Sequence, residues 1–419
     1  MKSPQEDIVY DVAVVGGGPA GMMAAGRAAE LGARVILIEK NKSLGVKLLI
    51  TGGGRSNITN HELELRAFLS KYKENDKFLF SAFSQFAVAE ALDFFHARTM
   101  DTKTEAEKRV FPKSNKAQSV WDVLVTYMKK GGVEILSDSP VKDFETEDGM
   151  ITAVVLKSNK KIQAKKFILA TGGTSRPETG STGDGFTWAT KMGHSVVVPS
   201  VALVPIALKD SWIKKLSGVT LQDIKLITFQ NKVKQEALKG KLLFTHFGIS
   251  GPTILNMSRD IAELLKYGEV EIRLDLVPSL DHGMLNKKLQ DLFTLDDKKK
   301  IKNSLDTLIS SSLIDHVLEL SKINPDTKNN SITRQERLRL IDTLKGIPMH
   351  VDKLLGSDKA VVSSGGVDLT EVDFKTMQSR IVSNLYLVGD VLNIDRPSGG
   401  YSLQLCWTTG WVAGNAVSS

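Results

Sequence analysis

Residues 12–39 constrain the fold more than any other stretch of this 419-residue chain. An apolar run, Val12 to Val15, enters a turn carrying Gly16, Gly18 and Gly21 in G-x-G-x-x-G spacing. An Ala-rich helical stretch opens near Pro19, and a second apolar strand, Arg34 to Ile38, ends at Glu39. Each residue type has a physical task. Gly16 permits the tight turn, Gly18 lets backbone approach a pyrophosphate, and Gly21 lets helix pack closely on strand. The free N–H groups and positive dipole end of the helix receive the phosphates. A carboxylate about twenty residues on, here Glu39, accepts ribose hydroxyls. Glycine triplets also serve turns of purely structural kind; the strand, helix, second strand and terminal acid together favour the dinucleotide reading.

Composition fits a globular enzyme of more than one domain, with 42% hydrophobic and 25% charged residues. No apolar run is long enough to cross a bilayer, and Met1 to Asp7 is polar without a signal core, so no membrane partner is expected. The single cysteine, Cys406, excludes an intramolecular disulfide and a C-x-x-C pair, which points to a reducing cytoplasm. The net charge of +7 is spread over dispersed lysines, and aromatics make up only 6%. Clusters such as Lys298-Lys299-Lys300 read as solvated faces, without a nucleic-acid partner. Attraction of anionic cofactors or substrates is a sufficient use for the excess charge.

Further along, Gly52-Gly53-Gly54 runs into Arg55-Ser56-Asn57. This is either a backbone-rich loop able to approach a ring or phosphate, with Arg55 neutralising charge, or an ordinary glycine turn. Residues 77–99 and 117–131 read as amphipathic helices; 132–136, 141–146 and 151–156 read as strands, the last two joined at Asp148-Gly149. Phe167 to Leu169 is a buried strand breaking on Ala170-Thr171-Gly172-Gly173, and Gly183-Asp184-Gly185 opens a helix with Asp184 as its cap. After His194 the pattern changes to short β-rich pieces, including Ile224–Gln230 and Lys241–His246. Leu/Lys/Asp-rich helical spacing follows over 283–322 and 332–345, around a polar loop at Asn324–Asn330. Nucleotide-domain character returns late: Ser383 to Val388 is a buried strand ending at Gly389-Asp390, and Ser398 to Gln404 feeds an apolar helical stretch. Asp390 suits a sugar-alcohol hydroxyl of a cofactor or caps its loop. The expected class is α/β, a Rossmann-like domain of residues 1–194 and 361–419. It is interrupted by a β-rich insert (195–282 and 346–360) and a helical subdomain (283–345).

A first-strand fingerprint, a mid-chain Ala-Thr-Gly-Gly and a late Gly-Asp are together the layout of two-dinucleotide-binding-domain flavoproteins. Within them the chain resembles the BaiN/YhiN-like family of FAD-dependent oxidoreductases, also labelled aminoacetone oxidase-like. The likeness rests on residues 47–60 (KLLITGGGRSNITN), 180–185 (GSTGDG), 244–252 (FTHFGISGP) and 398–404 (SGGYSLQ), in the family's order. It departs at Ser56, where the family usually has Cys, and at Asp390, where Glu is commoner. The resemblance implies non-covalent FAD, a β-barrel-like insert and a small helical subdomain. Residue by residue, it places Gly16, Gly18, Pro19, Ala20 and Gly21 at the pyrophosphate and Glu39 at the ribose. It lines the cofactor with Lys40, Lys47, Leu48, Gly53, Gly54, Arg55, Val141, Ala170, Thr171 and Gly172. Gly389 and Asp390 fall at the ribityl or phosphate region, and Gly400, Tyr401, Leu403 and Gln404 at the pyrimidine end. A helix N-terminus there stabilises the negative charge that reduction loads on the ring.

His246 is the candidate catalytic residue, since imidazole titrates near neutrality and its loop carries the Thr-His-x-Gly-x-Ser-Gly-Pro pattern; a loop histidine bonded to backbone carbonyls is the alternative. Arg55, Tyr401 and Arg396 are weaker candidates for an anionic group. His194 and His350 read as strand-flanking, and the Met22-Met23 pair as core packing. Neither histidine spacing nor cysteine count supports a metal site. Two classes follow: an oxidoreductase passing a hydride between flavin and a small organic substrate or NAD(P)H, or a binding module with structural or sensory FAD. No second fingerprint follows a strand, so NAD(P)H is expected only as a transient donor.

Overall fold

The computed structural model describes residues 9–355 and 362–418; the polar segment Met1–Asp7 and the expected boundary at 360–361 lie outside them. The chain opens with strand β1 (Val9–Val15), helix α1 (Pro19–Glu30), β2 (Val35–Ile38), the short α2 (Val46–Ile50) and β3 (Thr59–Asn60). Helices α3 (Leu65–Leu69), α4 (Asp76–Gln85) and α5 (Val88–His96) follow, then β4 (Thr102–Thr104), β5 (Arg109–Pro112), α6 (Ala117–Lys130) and β6 (Glu134–Leu136). A meander of β7 (Val141–Glu147), β8 (Met150–Leu156) and β9 (Lys161–Leu169) leads to α7 (Asp184–Lys191) and β10 (Val196–Ala202). Next come β11 (Ile206–Leu208), β12 (Thr220–Gln230), β13 (Val233–Thr245), β14 (Gly248–Ser250), α8 (Pro252–Leu265) and β15 (Val270–Asp275). Helices α9 (His282–Leu295), α10 (Ile301–Ser304), α11 (Ser311–Leu320) and α12 (Arg334–Lys345) precede β16 (Ile347–Leu354). The chain closes with β17 (Val362–Val367), β18 (Leu385–Leu387) and α13 (Tyr401–Ala416).

Two compact units emerge, Met1–Val201 with Ala360–Ser419, and Ala202–Lys359. In the first, a seven-stranded sheet runs β6-β2-β1-β9-β8-β7, with β18 also on β9. Strands β6, β2, β1, β9 and β18 are mutually parallel. Their continuous apolar runs suit strands covered on both faces: Val12, Ala13 and Val14 are wholly buried. The late strand thus shares a sheet with the fingerprint strand, although more than 360 residues separate them. Helix α1 packs on α13, and Met22 and Met23 are wholly buried between sheet and helices.

Local detail differs from the sequence expectation in three places. Residues 77–99 form two helices, because Phe86 leaves helical geometry (φ −151°, ψ 87°) to stack on Trp411 with centroids 4.6 Å apart. Helix α5 then restarts with Glu90 accepting the Ala87 N–H at 2.9 Å. Residues 283–322 form three helices; Asn329 Nδ2 donates to Asp296 O and Ser304 Oγ, both at 2.8 Å, across the break. Asp184 does not cap α7: Gly183 does, at φ 80°, and Asp184 pairs with Lys40 instead. By length and composition alone residues 65–96 pass as a candidate membrane span, which the sequence pattern did not single out. The stretch is broken at Lys73 (φ 52°) and Phe86, and no straight segment approaches the roughly 20 residues a bilayer requires.

In the second unit β11, β14, β13, β12, β15 and β16 close into a barrel. Alternate residues, among them Leu226, Leu242, Phe244, Ile272 and Met349, are wholly buried. Helices α9 to α12 extend this core, which is separate from that of the first unit.

Candidate functional site

The parallel strands end at one edge of the sheet, and their last residues line a cleft. Val15 and Gly16 come from β1, Ile38 and Glu39 from β2, Ala170 from β9, and Val388 and Asp390 from β18. Such edges collect ligands because the following helices present their N-termini there. The cleft encloses about 1230 Å³, open solvent included.

Helix α1 starts at this edge with Gly18 as its N-cap, no side-chain cap and no acidic residue in its first turn. Pro19 brings no N–H and the Ala20 backbone meets the Cys406 thiol, so what this end offers an anion is chiefly the positive pole of the helix. The three fingerprint glycines do different work. A Cβ on Gly16 would lie 2.5 Å from Ala170 O, and φ is +109°, so the turn needs glycine. A Cβ on Gly18 would meet nothing within 4 Å, which leaves open space over the helix end. A Cβ on Gly21 would lie 2.0 Å from Gly16 O, so Gly21 sets strand–helix packing and does not line the cleft.

Glu39 is buried and held from two sides: Gly17 N–H donates to Oε2 and Asn41 N–H to Oε1, both at 2.8 Å. Lys40 donates to Thr182 Oγ1 at 2.5 Å and to Asp184 at 2.9 Å. Burial acts to raise the Asp184 carboxyl, but the Lys40 partner outweighs it and the net shift is downward. Lys47 donates to the buried Ser175 Oγ at 2.5 Å and lies 3.6 Å from Asp390. Asp390 is also paired with Arg396. Burial pushes the Asp390 carboxyl up, yet the Arg396 and Lys47 charges hold it below the usual carboxylate range. Thr171 Oγ1, on the cleft wall, is buried with no hydrogen-bond partner among the described residues, an orphan that a bound ligand could satisfy.

Of the residues expected at the cofactor, Gly16, Gly18, Pro19, Ala20, Glu39, Lys40, Lys47, Leu48, Val141, Ala170, Thr171, Gly172, Asp390 and Leu403 line this cleft. Others do not. Gly53 and Gly54 are exposed in a turn, and Arg55 lies 4.1 Å over the Phe111 ring and pairs with Glu105 at 2.5 Å, so its charge is spent away from the cleft. Tyr401 packs in an aromatic cluster with Phe68, at 4.8 Å, and Tyr72. Gln404 is wholly buried, accepting from Thr59 Oγ1 at 2.7 Å and donating to Ala87 O at 3.0 Å. Gly400 caps α13 at φ +105°, and a Cβ there would sit 2.3 Å from Thr59 backbone. Gly389 approaches Ala20 but is not on the cleft wall. Sequence reasoning missed Ser402 and Cys406, which share the Leu403 side of α13; helical i, i+3 spacing from Leu403 identifies Cys406. Burial pushes the Cys406 thiol up to about 12.

Among the remaining candidates, His246 is exposed in the turn between β13 and β14 of the second unit, its ring edge-on to Phe247. His350 is exposed and bonded to Asp210. His194 is buried between Glu371 and Ser379, each 2.9 Å from a ring nitrogen. Among the described residues no group of three or more His, Cys, Asp or Glu is placed to hold a metal.

Sheet order, uncapped helix and the strand-end carboxylates Glu39 and Asp390 define the first unit as a Rossmann-type fold with a dinucleotide-sized cleft at its strand ends. Residues 10–416 match the family described as HI0933-like protein Rossmann domain, and the chain belongs to that family. The 3-dehydro-bile acid delta(4,6)-reductase of Clostridium scindens is 29% identical over 410 residues, covering 97% of this chain and 98% of its own. The ribosomal RNA dihydrouridine synthase of Escherichia coli is 30% identical over 406 residues, covering 96% of each. Among solved structures, 3-ketosteroid delta1-dehydrogenase from Sterolibacterium denitrificans shares the fold, with TM-score 0.56, 12% identity and coverage of 98% of this chain and 99% of its own.

Proposed function

We propose that this flavin-dependent oxidoreductase reduces a ring carbon–carbon double bond conjugated to a carbonyl, with FAD held non-covalently in the cleft of the first unit. The observation that carries FAD is the cleft itself, where the uncapped α1 N-terminus faces an edge bearing Glu39 and Asp390. The substrate class is supported by two relatives whose names, a delta(4,6)-reductase of 3-dehydro-bile acids and a dihydrouridine synthase, both describe saturation of such a bond. Bound and reduced FAD supplies the hydride, and NADH or NADPH is the transient donor that replenishes it. The protein's part is to bind and orient. The α1 N-terminus takes the pyrophosphate, Glu39 and Asp390 accept sugar hydroxyls, and the cleft wall from Val15 to Leu48 keeps water from the ligand's apolar face. His246 is assigned the proton that accompanies the hydride, as the imidazole of the loop that carries the family likeness.

The test is anaerobic. Purified protein is denatured to release its flavin, then native protein is titrated with NADH and NADPH. Its reduced form is challenged with a cyclic enone, a 4-en-3-one steroid and a uridine-containing rRNA transcript. FAD release, reduction by one nicotinamide and reoxidation by one of the unsaturated acceptors are expected. Release of FMN or no flavin removes the cofactor assignment. FAD that neither donor reduces, or that no unsaturated acceptor reoxidises, leaves a binding module in its place. His246→Ala should slow reoxidation without changing FAD content; unchanged kinetics would return His246 to a structural role.

A further inference from the structure

Arg396 is the most deeply buried cation on the described chain near the cleft, its side chain 1% exposed. Nothing in the proposed reaction uses it directly. Each of its three nitrogens donates once: Nη1 to Ile394 O at 2.7 Å, Nε to Ser402 Oγ at 3.1 Å, and Nη2 to Asp390 Oδ1. Those bonds tie three things together: the turn after β18, the first turn of α13, and a carboxylate on the cleft wall. Lys47 meets the other oxygen of Asp390 only at 3.6 Å and gives its hydrogen bond to Ser175. Arg396 therefore fixes the carboxylate, while Lys47 supplies charge without fixing it. A planar fork with no proton to lose suits that task better than an ammonium.

We propose that Arg396 is a positioning residue for cofactor binding: it locks Asp390 as an oriented, ionised acceptor and joins it to the start of α13, so that it acts on FAD only through Asp390. This rests on the assignment of FAD to the cleft. Without Arg396, a carboxylate only 15% exposed in the cleft wall keeps only the looser Lys47, and protonation becomes its cheapest relief. A protonated Asp390 turns from pure acceptor into a partial donor, and its grip on a cofactor hydroxyl becomes pH-dependent. The groups facing it are Arg396, Lys47 from α2 and the Cys406 thiol from α13; the Tyr72 phenol faces Arg396. Burial keeps both the thiol and the phenol neutral through the working range, which leaves Asp390 to carry the effect.

The experiment measures FAD affinity of apo-protein, prepared by flavin removal, for wild type, Arg396→Met, Asp390→Asn and the double variant, each between about pH 5.5 and about pH 8. Wild-type affinity should stay flat. Arg396→Met should weaken FAD about tenfold or more, with a further loss as pH falls; in the Asp390→Asn background the same change should cost less than about threefold and show no pH dependence. Arg396→Lys should recover part of the loss, since an ammonium can still reach one carboxylate oxygen. Equal effects of Arg396→Met in both backgrounds, or no pH dependence in the single variant, would overturn the inference while leaving FAD in the cleft. Wild-type apo-protein that rebinds no FAD would instead overturn the functional assignment and the inference with it. Apo-protein melting curves monitor folding, and should Arg396→Met not fold, Arg396→Lys carries the same comparison in both backgrounds.

Discussion

Gly18 and Gly21 lie three residues apart in one motif, yet the structure assigns them opposite consequences on substitution. Gly18 has φ −77° and ψ −179°, which any residue adopts, and an added Cβ meets no atom within 4 Å. Replacing a glycine N-cap by alanine costs about 0.5–1 kcal/mol. The reduced freedom of the unfolded chain returns about 0.4–1 kcal/mol. Gly18→Ala should therefore leave the apo-protein within about 0.5 kcal/mol of wild type, a melting shift of no more than about 2 °C. The new methyl reaches about 1.5 Å into the space over the α1 N-terminus, where the pyrophosphate of the proposed FAD would lie. Loss of one charge-assisted hydrogen bond, about 1.5–3 kcal/mol, weakens FAD roughly ten- to a hundredfold. Gly21→Ala behaves otherwise. Its Cβ would sit 2.0 Å from Gly16 O, against an ordinary carbon–oxygen contact of about 3.3 Å. Backbone on both sides cannot yield cheaply, so a cost of about 3 kcal/mol and a melting loss of about 6–12 °C are expected. Melting curves of apo- and FAD-loaded protein, with a flavin-fluorescence titration, separate the two. A Gly18→Ala protein that binds FAD as tightly as wild type, or a Gly21→Ala protein that melts with wild type, refutes the reasoning.

Cys406, its thiol pushed up to about 12 by burial, should resist alkylation in native protein at neutral pH and be labelled on unfolding; rapid native labelling would contradict the burial of the thiol. Gln404→Ala strands the Thr59 hydroxyl and the Ala87 carbonyl, so it should destabilise the apo-protein by about 2–4 kcal/mol; an effect confined to FAD affinity would restore a cofactor role. The Asp390 carboxyl has a folded pKa below its unfolded value, so its stabilisation is complete above the unfolded value, about pH 4, and is lost as pH falls through the folded one. The apo-protein should accordingly melt at a constant temperature above about pH 5 and at falling temperatures below about pH 4, with a shallower fall in Asp390→Asn; identical slopes would contradict the ion pair.

The residues legible in the sequence are those whose position along a strand decides their position in space. Gly16, Glu39, Ala170 and Asp390 each follow an apolar run, and once the runs lie parallel their ends must meet at one edge. What escaped depends on partners that no local pattern names. Arg55, beside three glycines, looks suited to phosphate, but Phe111 and Glu105 lie about fifty residues away in sequence and claim it. Tyr401 and Gln404 sit in a cofactor-like segment and turn to the opposite side of α13, where Phe68, Tyr72 and Thr59 wait. The break at Phe86 likewise follows from Trp411, over three hundred residues on. Arg396, by contrast, has its partner six residues away, and the missing information there was the burial that makes the pair matter.

Strand β9 carries an unusual load: one of its edges holds β1, while the other is divided between β8 along residues 161–163 and β18 along 167–169. During synthesis the half that awaits β18 stays unpaired until more than two hundred further residues have been made, beside an α1 face that α13 has yet to cover. An unpaired edge next to bare apolar surface is a site for wrong partners. The intervening Ala202–Lys359 unit has its own core and can settle first, and the pairing of β10 with β17 then brings the two flanks of that long excursion together. Since each doubling of an open loop costs only about 0.6 kcal/mol, the danger to this chain is one of waiting time rather than of loop entropy.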